Sequence, residues 1–336
     1  MRVSFAIVAY NEEAVLPRLL LDLKNQDYPH EKIEVLLIDS MSEDNTREIM
    51  NEFSRQDFGF KSVKVFENPK KIIPCGHNVA LDNYTGDALI RLDAHATMPS
   101  DFIRKNVNTL LSGEMISGGR RPNIIDESTP WKETLLSAEQ SMFGSSFASY
   151  RRSEKKMYTS SLFCGMYRRE VYDKVGRYNE LLPRSEDNDM CYRVRKAGFN
   201  LCYDPDIVYY QHTRNTLSKM LHQKFLNGYW IGKTMGVSPK CFSPFHFVPL
   251  IFVLGILLTA VLSFFGHLFL GAVMWTAYVL LLLAIMITET LKAPRIHNLA
   301  LPLIVFGLHI SYGVGTLLGL IAMPFWLFKV KGSKND

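Results

Sequence analysis

Hydrophobic positions along the chain follow two regimes. Over roughly the first two hundred residues they come as short runs, Val3–Val8, Val35–Ile38, Val63–Phe66 and Ala88–Leu92, separated by segments with helical spacing. That alternation predicts βα units and a parallel sheet covered on both faces. After the first run, Asn11 is expected to cap a helix with Glu12 and Glu13 in its first turn. Leu16, Leu19, Leu20 and Leu23 share one face of that helix, and Pro17 counts against its regularity. Ser42 or Asp44 is expected to start a second helix ending before Phe58-Gly59, and Met190–Gly198 reads as another. In open sheets of this kind the ligand lies beyond the carboxyl ends of the strands. Tyr10-Asn11-Glu12, Asp39-Ser40 and Asp93-Ala94-His95 fall there.

The second regime begins near Phe245. Phe245–Phe265 and Leu268–Thr288 are uncharged apolar runs of about 21 residues, enough at about 1.5 Å per residue to cross a hydrocarbon core of about 30 Å. A third run, Leu299–Phe328, is longer than a span needs and carries Pro302, His309, Gly313, Gly315 and Pro324; one tilted or broken helix and a re-entrant pair both fit it. The expected organisation is an enzyme domain over 1–210, interfacial basic helices over 211–244, about three membrane helices over 245–328, and a tail over 329–336.

Charge sharpens this division. The chain has 336 residues, a net charge of +5 and a mean hydropathy of zero. After Pro244 the only charged residues are Glu289, Lys292, Arg295, Lys329, Lys331, Lys334 and Asp336. A purely soluble protein and a many-span transporter are both excluded by that distribution. Setting those residues aside leaves +2 on the rest, too little to point to nucleic acid. Arg214, Lys219, Lys224, Lys233 and Lys240 precede the first span, with no acid between Asp206 and Glu289. The positive-inside rule then puts the N-terminal domain in the cytoplasm, on the inner or plasma membrane of a multi-pass protein. Met1–Tyr10 runs straight into Asn11-Glu12-Glu13, unlike an export signal. Cys75, Cys164, Cys191, Cys202 and Cys241 include no CxxC pair and read as reduced structural thiols.

Two phosphate-binding devices are missing. No G-x-G-x-x-G follows Val8, which argues against a dinucleotide site. Gly228-Tyr-Trp-Ile-Gly-Lys-Thr234 is one residue short of a P-loop and follows no strand. The candidate chemistry lies in carboxylates. Asp39 can accept from a nucleobase N–H or a ribose hydroxyl, or cap the next helix. Asp93 ends an apolar strand abruptly, where a carboxylate beside a diphosphate would share a divalent cation, with His95 as a second ligand or a phosphate contact. Glu186, Asp187 and Asp189 crowd a helix start, more acid than the helix dipole calls for. A carboxylate held there stays ionised near neutral pH, as a base for a sugar hydroxyl must. Downstream, Arg214 and the Leu217–Trp230 stretch with Gln223, Tyr229 and Trp230 read as an interfacial anchor or as contacts to a lipid diphosphate.

In order, Val8-Ala9-Tyr10-Asn11-Glu12-Glu13, Leu37-Ile38-Asp39-Ser40, Arg91-Leu92-Asp93-Ala94-His95-Ala96 and Glu186-Asp187-Asn188-Asp189 resemble the motifs of family 2 glycosyltransferases. With Gly165-Met-Tyr-Arg-Arg-Glu-Val171, Gln223 and Tyr229, the chain is similar to membrane-anchored succinoglycan-type glucosyltransferases. The resemblance implies a GT-A fold, an α/β domain with a mostly parallel, Rossmann-like sheet, followed by transmembrane helices. It implies that Ala9, Tyr10, Glu12 and Asp39 hold the nucleotide sugar, a UDP-sugar being expected, with Asn78 and Arg91 in the same donor set. It gives Asp187 the role of catalytic base with Glu186 beside it, and Asp93, with His95, a Mg2+ or Mn2+ ion. Arg214, Gln223, Tyr229 and Trp230 would meet a lipid-linked acceptor. The usual D-x-D reads Asp93-Ala94-His95, and no Q-x-x-R-W follows Gln223, which favours adding one sugar over extruding a polymer. The implied reaction is an inverting transfer to a polyprenyl-diphosphate-linked saccharide in exopolysaccharide or cell-surface glycan synthesis. A polyprenyl-phosphate glycosyltransferase and a non-catalytic nucleotide-binding membrane scaffold are the alternatives.

Overall fold

The computed structural model describes residues 1–141, 153–213 and 216–332. The chain divides into two compact units, one of residues 1–122 and 149–212 and one of 123–148 and 213–336.

In the first unit the predicted βα alternation is present: β1 (Val3–Ala9), α1 (Leu16–Lys24), β2 (Ile33–Asp39), α2 (Thr46–Arg55), β3 (Ser62–Glu67), α3 (Ile73–Asn83) and β4 (Ala88–Asp93). β5 (Ala96–Thr97), α4 (Phe102–Leu111) and β6 (Ile116–Arg120) follow. The sheet is completed by β8 (Met157–Thr159), β9 (Met166–Arg168) and β10 (Leu201–Val208), with α6 (Arg169–Val175), α7 (Glu186–Lys196) and β11 (Tyr210–His212) around it; β7 (Asn123–Ile124) belongs to the other unit. The eight strands run in the order β3-β2-β1-β4-β9-β6-β10-β8. β3, β2, β1 and β4 are mutually parallel, and the short β9 is antiparallel to both β4 and β6. β2 is buried along its whole length, as a central strand covered on both faces must be, whereas the edge strand β3 is half-exposed. Phe5, Ile7, Val35, Leu37, Ile90 and Leu92 of the sheet pack with Leu16, Leu19, Leu20 and Leu23 of α1 and with Phe102, Ile103 and Leu110 of α4.

Several element boundaries differ from expectation, each for a local reason. Asn11 does not cap α1; its backbone is left-handed at φ 53°, and its side chain accepts from Glu43 N at 2.8 Å. The helix starts later, at Leu16, so Pro17 sits in the first turn, where its missing N–H costs nothing. Asp44 orders the approach to α2 by accepting from Thr46 N and Glu13 N, and the helix itself begins at Thr46. α7 begins at Glu186, four residues before the predicted Met190, so the acidic cluster occupies its first turn. Gly198, at φ 90°, ends it as expected.

The second unit contains α5 (Pro130–Gln140), α8 (Leu217–Thr234), α9 (Val248–Phe264), α10 (Phe269–Lys292) and α11 (Leu301–Gly332). Among the described residues, three helices are long and apolar enough to cross a membrane: Pro244–Phe264, Phe269–Lys292 and Ile296–Val330. The third is one continuous helix through Pro324, with no re-entrant break. Residues 123–148 lie inside the stretch 1–210 expected to form the enzyme domain, yet α5 packs here. Thr134 donates to Asn298 at 3.1 Å, Glu133 faces Arg295, and Leu135 and Ala138 join Leu301, Ile304 and Leu308 in one cluster.

The glycines of Gly228-Tyr-Trp-Ile-Gly-Lys-Thr234 lie within α8, not in a loop. A Cβ on Gly228 would stand 2.1 Å from Tyr312 O, one on Gly232 2.5 Å from Thr316 O, and one on Gly319 of α11 2.1 Å from Tyr229 O. The resemblance to a phosphate loop is therefore the by-product of small residues, four apart, that let two helix backbones touch. Between them Lys233 is buried, its Nζ 4.5 Å from the centre of the Trp230 ring and 4.8 Å from that of Trp326.

Candidate active site

Strand register assembles the candidate site. Ala9 pairs with Asp39, and Val8 pairs with Asp93, so the carboxyl ends of β1, β2 and β4 finish at one level. Ala9 is buried beneath this edge, and Tyr10 emerges from it exposed, with Lys71 Nζ 5.6 Å from its ring centre. Asp39 is 1% exposed. Its Oδ1 accepts from Ser42 N at 3.1 Å, while Oδ2 has no hydrogen-bond partner among the described residues. The expected helix cap is thus a loop contact that uses only half of the carboxylate. A buried carboxylate oxygen without a donor is costly, and a ligand N–H or O–H arriving there relieves the cost.

Asp93 ends β4, half-buried. Close by, His95 Nδ1 lies 3.7 Å from Glu12 Oε1, and its Nε2 lies 3.5 Å from Gln211 Nε2. Both ring nitrogens face protein partners, so the ring bridges the β1 loop to β11. Cys164, with a left-handed φ of 48°, is buried here, and burial pushes its thiol up to about 11, keeping it protonated and inert. All five cysteines are buried, and none forms a disulfide.

The acidic cluster resolves into three separate environments. Asp189 pairs with Arg193 one turn on, at 2.8 Å, and serves the helix. Glu186 is buried, and burial pushes its carboxyl up to about 7 against the opposing pull of Arg91; its Oε2 has no partner among the described residues. Asp187 is more open, and its Oδ1 accepts from Arg91 Nη2. The two adjacent carboxylates thus sit in different settings, Glu186 buried and Asp187 paired with Arg91.

Arg91 is buried, 6% exposed, on a strand that is otherwise apolar up to Asp93 at its end. Its position therefore depends on its neighbours: Asp187 at one end, His77 Nε2 2.8 Å from Nη1 at the other, and the Tyr178 ring 5.0 Å from the guanidinium carbon. Asn78, expected in the donor set, is committed elsewhere. Its Oδ1 accepts from Tyr178 N at 2.8 Å, and its Nδ2 donates to Tyr178 O at 3.0 Å and to Glu180 Oε1 at 3.1 Å. It fixes the loop that lays Tyr178 over Arg91.

Structure thus brings together Ala9, Tyr10, Glu12, Asp39, Arg91, Asp93, His95, Glu186 and Asp187 in the first unit, with Asn78 behind them. Gln223, Tyr229 and Trp230 lie on α8 of the second unit, where Tyr229 stacks on Phe225 and Trp230 meets Trp326 edge-on. Arg214 lies outside the described residues. Sequence reasoning missed His77 and Tyr178. The available signal was Arg91 itself, because a charge in a buried strand must have partners.

The comparisons agree with this architecture. Residues 4–176 match the profile of glycosyl transferase family 2. The chain is 25% identical over 330 residues, covering 95% of itself and 97% of the relative, to a dolichyl N-acetyl-alpha-D-glucosaminyl phosphate 3-beta-D-2,3-diacetamido-2,3-dideoxy-beta-D-glucuronosyltransferase of Methanococcus voltae. It is 28% identical over 201 residues to the succinoglycan biosynthesis protein ExoA of Rhizobium meliloti, covering 59% of each chain. Among solved structures, a mannosyltransferase of Pyrobaculum calidifontis in complex with GDP-Man and Mn2+ shares the fold, with a TM-score of 0.58 at 18% identity over 94% of this chain and 87% of that one. S. aureus TarS 1-349 in complex with UDP-GlcNAc superposes with a TM-score of 0.51 at 17% identity, over 94% and 90%. With a GT-A-like sheet and a family profile spanning half its length, this chain belongs to glycosyl transferase family 2 and is a glycosyltransferase.

Proposed function

We propose that the enzyme transfers one sugar, with inversion, from a nucleotide-diphosphate sugar to a polyprenyl-diphosphate-linked saccharide on the cytoplasmic side of the inner or plasma membrane. The observation that carries this reading is the alignment of Asp39 and Asp93 at one sheet edge, together with Asp187 paired with the Arg91 guanidinium. Asp39, with its unpartnered Oδ2, suits a donor group of the nucleotide, and exposed Tyr10 a face of the base. Asp187 takes the proton of the acceptor hydroxyl as its oxygen bonds to the anomeric carbon and the bond to the diphosphate breaks. One base and no enzyme nucleophile suffice for a single displacement.

Among the described residues, no three His, Cys, Asp or Glu side chains form a ready-made metal cage. A divalent cation that keeps its protein ligands few and shares the donor's phosphates fits Asp93 alone. Mg2+ or Mn2+ held by Asp93 and the diphosphate would neutralise charge on the leaving group. His95, turned to Glu12 and Gln211, is better placed to order the loop.

A lipid-carried acceptor is supported by three helices long enough to cross a membrane and by the Methanococcus relative, whose name puts its acceptor on a dolichyl phosphate. Purified full-length enzyme would be given UDP-, GDP- and dTDP-sugars with polyprenyl-diphosphate saccharide or bare polyprenyl phosphate, and nucleotide release measured. A UDP-sugar with the saccharide lipid is the expected pair. Transfer to bare phosphate alone, or near-normal turnover by Asp187→Asn, would overturn the reading.

A further inference from the structure

We propose that His77 is a positioning residue for sugar transfer, acting through Arg91 to aim the Asp187 carboxylate as a neutral hydrogen-bond acceptor. The argument begins with what a guanidinium can do. Arginine has five N–H donors and no acceptor, so the 2.8 Å contact from Arg91 Nη1 to His77 Nε2 requires a lone pair on that nitrogen. The ring is then neutral with its proton on Nδ1, an atom that has no partner among the described residues. Burial and the neighbouring guanidinium both push the His77 pKa down, which agrees with that tautomer.

The geometry explains why this matters for Asp187. Nη1 and Nη2 are the two ends of one rigid planar group, one held by His77 and the other by Asp187. Tyr178 covers the guanidinium plane, 5.0 Å from its carbon, and also lies 5.0 Å from the His77 ring. The Tyr178 backbone is in turn pinned at both its N–H and its carbonyl by Asn78. Arg91 therefore cannot turn its Nη2 away from Asp187 without breaking the contact to His77 or displacing Tyr178. Removing the His77 acceptor leaves a buried N–H unpaired and frees this rotation.

This inference rests on Asp187 being the base, and its test separates the two. Full-length His77→Leu, His77→Gln and Asp187→Asn enzymes are assayed with UDP-, GDP- and dTDP-hexoses and extracted membrane lipid, reading nucleotide release. His77→Leu is expected to lower kcat roughly 10- to 100-fold, the range for losing a hydrogen bond to a charged group, with donor KM within about threefold of wild type. His77→Gln, whose amide oxygen can replace Nε2, is expected to restore most of the rate. His77→Met keeps the volume with only a weak sulfur acceptor, and replaces His77→Leu if that variant does not fold. Equal loss in the Gln and Leu (or Met) variants, or a loss confined to KM, overturns the proposal. A dead Asp187→Asn with wild-type kcat in His77→Leu overturns this inference alone. An active Asp187→Asn, or a wild type that turns over no donor, overturns the proposed function instead.

Discussion

Replacing Asp39 by Asn should move stability and ligand binding in opposite directions. In the free protein Asp39 is 1% exposed; Oδ1 accepts from Ser42 N and Oδ2 from nothing among the described residues. A buried polar atom without a partner costs about 1–3 kcal/mol, and more when the group is charged. Asp39→Asn keeps the Ser42 contact and replaces a charged orphan oxygen with a neutral orphan N–H. The free protein should gain about 1 kcal/mol, a rise in Tm of about 2–4 °C for a unit of this size. Nucleotide binding should weaken roughly 10- to 100-fold, because a charge-assisted acceptor is lost. Wild type at a hundredfold excess of ligand over Kd is stabilised by about 3 kcal/mol, and the variant at the same concentration by much less. Thermal melts of the detergent-solubilised full chain, with and without UDP or GDP, alongside direct titration of each nucleotide, measure all three effects. A lower Tm with unchanged nucleotide affinity would refute the reasoning and make Asp39 a loop-ordering residue only.

Glu186 carries a pH prediction. Burial raises its carboxyl from the ordinary 4.5 to about 7, so between those values the folded protein holds a proton that the unfolded chain releases. The stability it confers is complete below about pH 4.5 and is lost as pH rises to about 7, a change of at most about 3 kcal/mol. Melts of Glu186→Gln and wild type from pH 5 to 8 should therefore diverge, wild type falling relative to the variant; parallel curves would contradict the raised pKa. Gly232→Val should destabilise the second unit by about 1–3 kcal/mol or more, because the new Cβ would lie 2.5 Å from backbone atoms of Thr316 and Leu320. Gly307→Ala, whose Cβ would meet only the flexible end of Leu221 at 3.2 Å, should be tolerated when both variants are compared by thermal melts of the detergent-solubilised full chain. Equal behaviour of the two variants would remove close backbone packing as the reason for glycine at 232.

What the sequence revealed, and what it did not, follows from the range of the interactions involved. The four parallel strands were legible because each is a short apolar run whose burial depends on its own residues. The long apolar helices were legible for the same reason. Boundaries shifted where one side chain reaches across the chain. Asn11 leaves its expected cap to bond Glu43, and Asp44 bonds the backbone of Glu13 as well as that of Thr46. Residues 123–148 carry no composition that separates them from the enzyme domain; their partners, Arg295 and Asn298, lie about 160 positions away. The glycines at 228 and 232 form a pattern, but only the facing Tyr312 and Thr316 show that it serves helix packing.

The candidate site shows the same limit in sharper form. Asp39 and Asp93 stood out in the sequence because a strand end is a local feature, and parallel register brings those ends to one level. The setting of Asp187 has no local signature. It depends on Arg91, which depends on His77 and Tyr178, which depends on Asn78, five residues drawn from α3, β4, α7 and the loop before α7. Asn78 was expected to touch the donor, and its side chain is spent on the Tyr178 backbone and the Glu180 carboxylate instead. One feature of the sequence still demanded such a group: a guanidinium cannot be deprotonated and is rarely buried unpaired, so Arg91 between Ile90 and Leu92 required an anion and at least one neutral acceptor nearby. A buried arginine in an apolar strand therefore marks where distant chain segments must converge, even when it leaves their identity open.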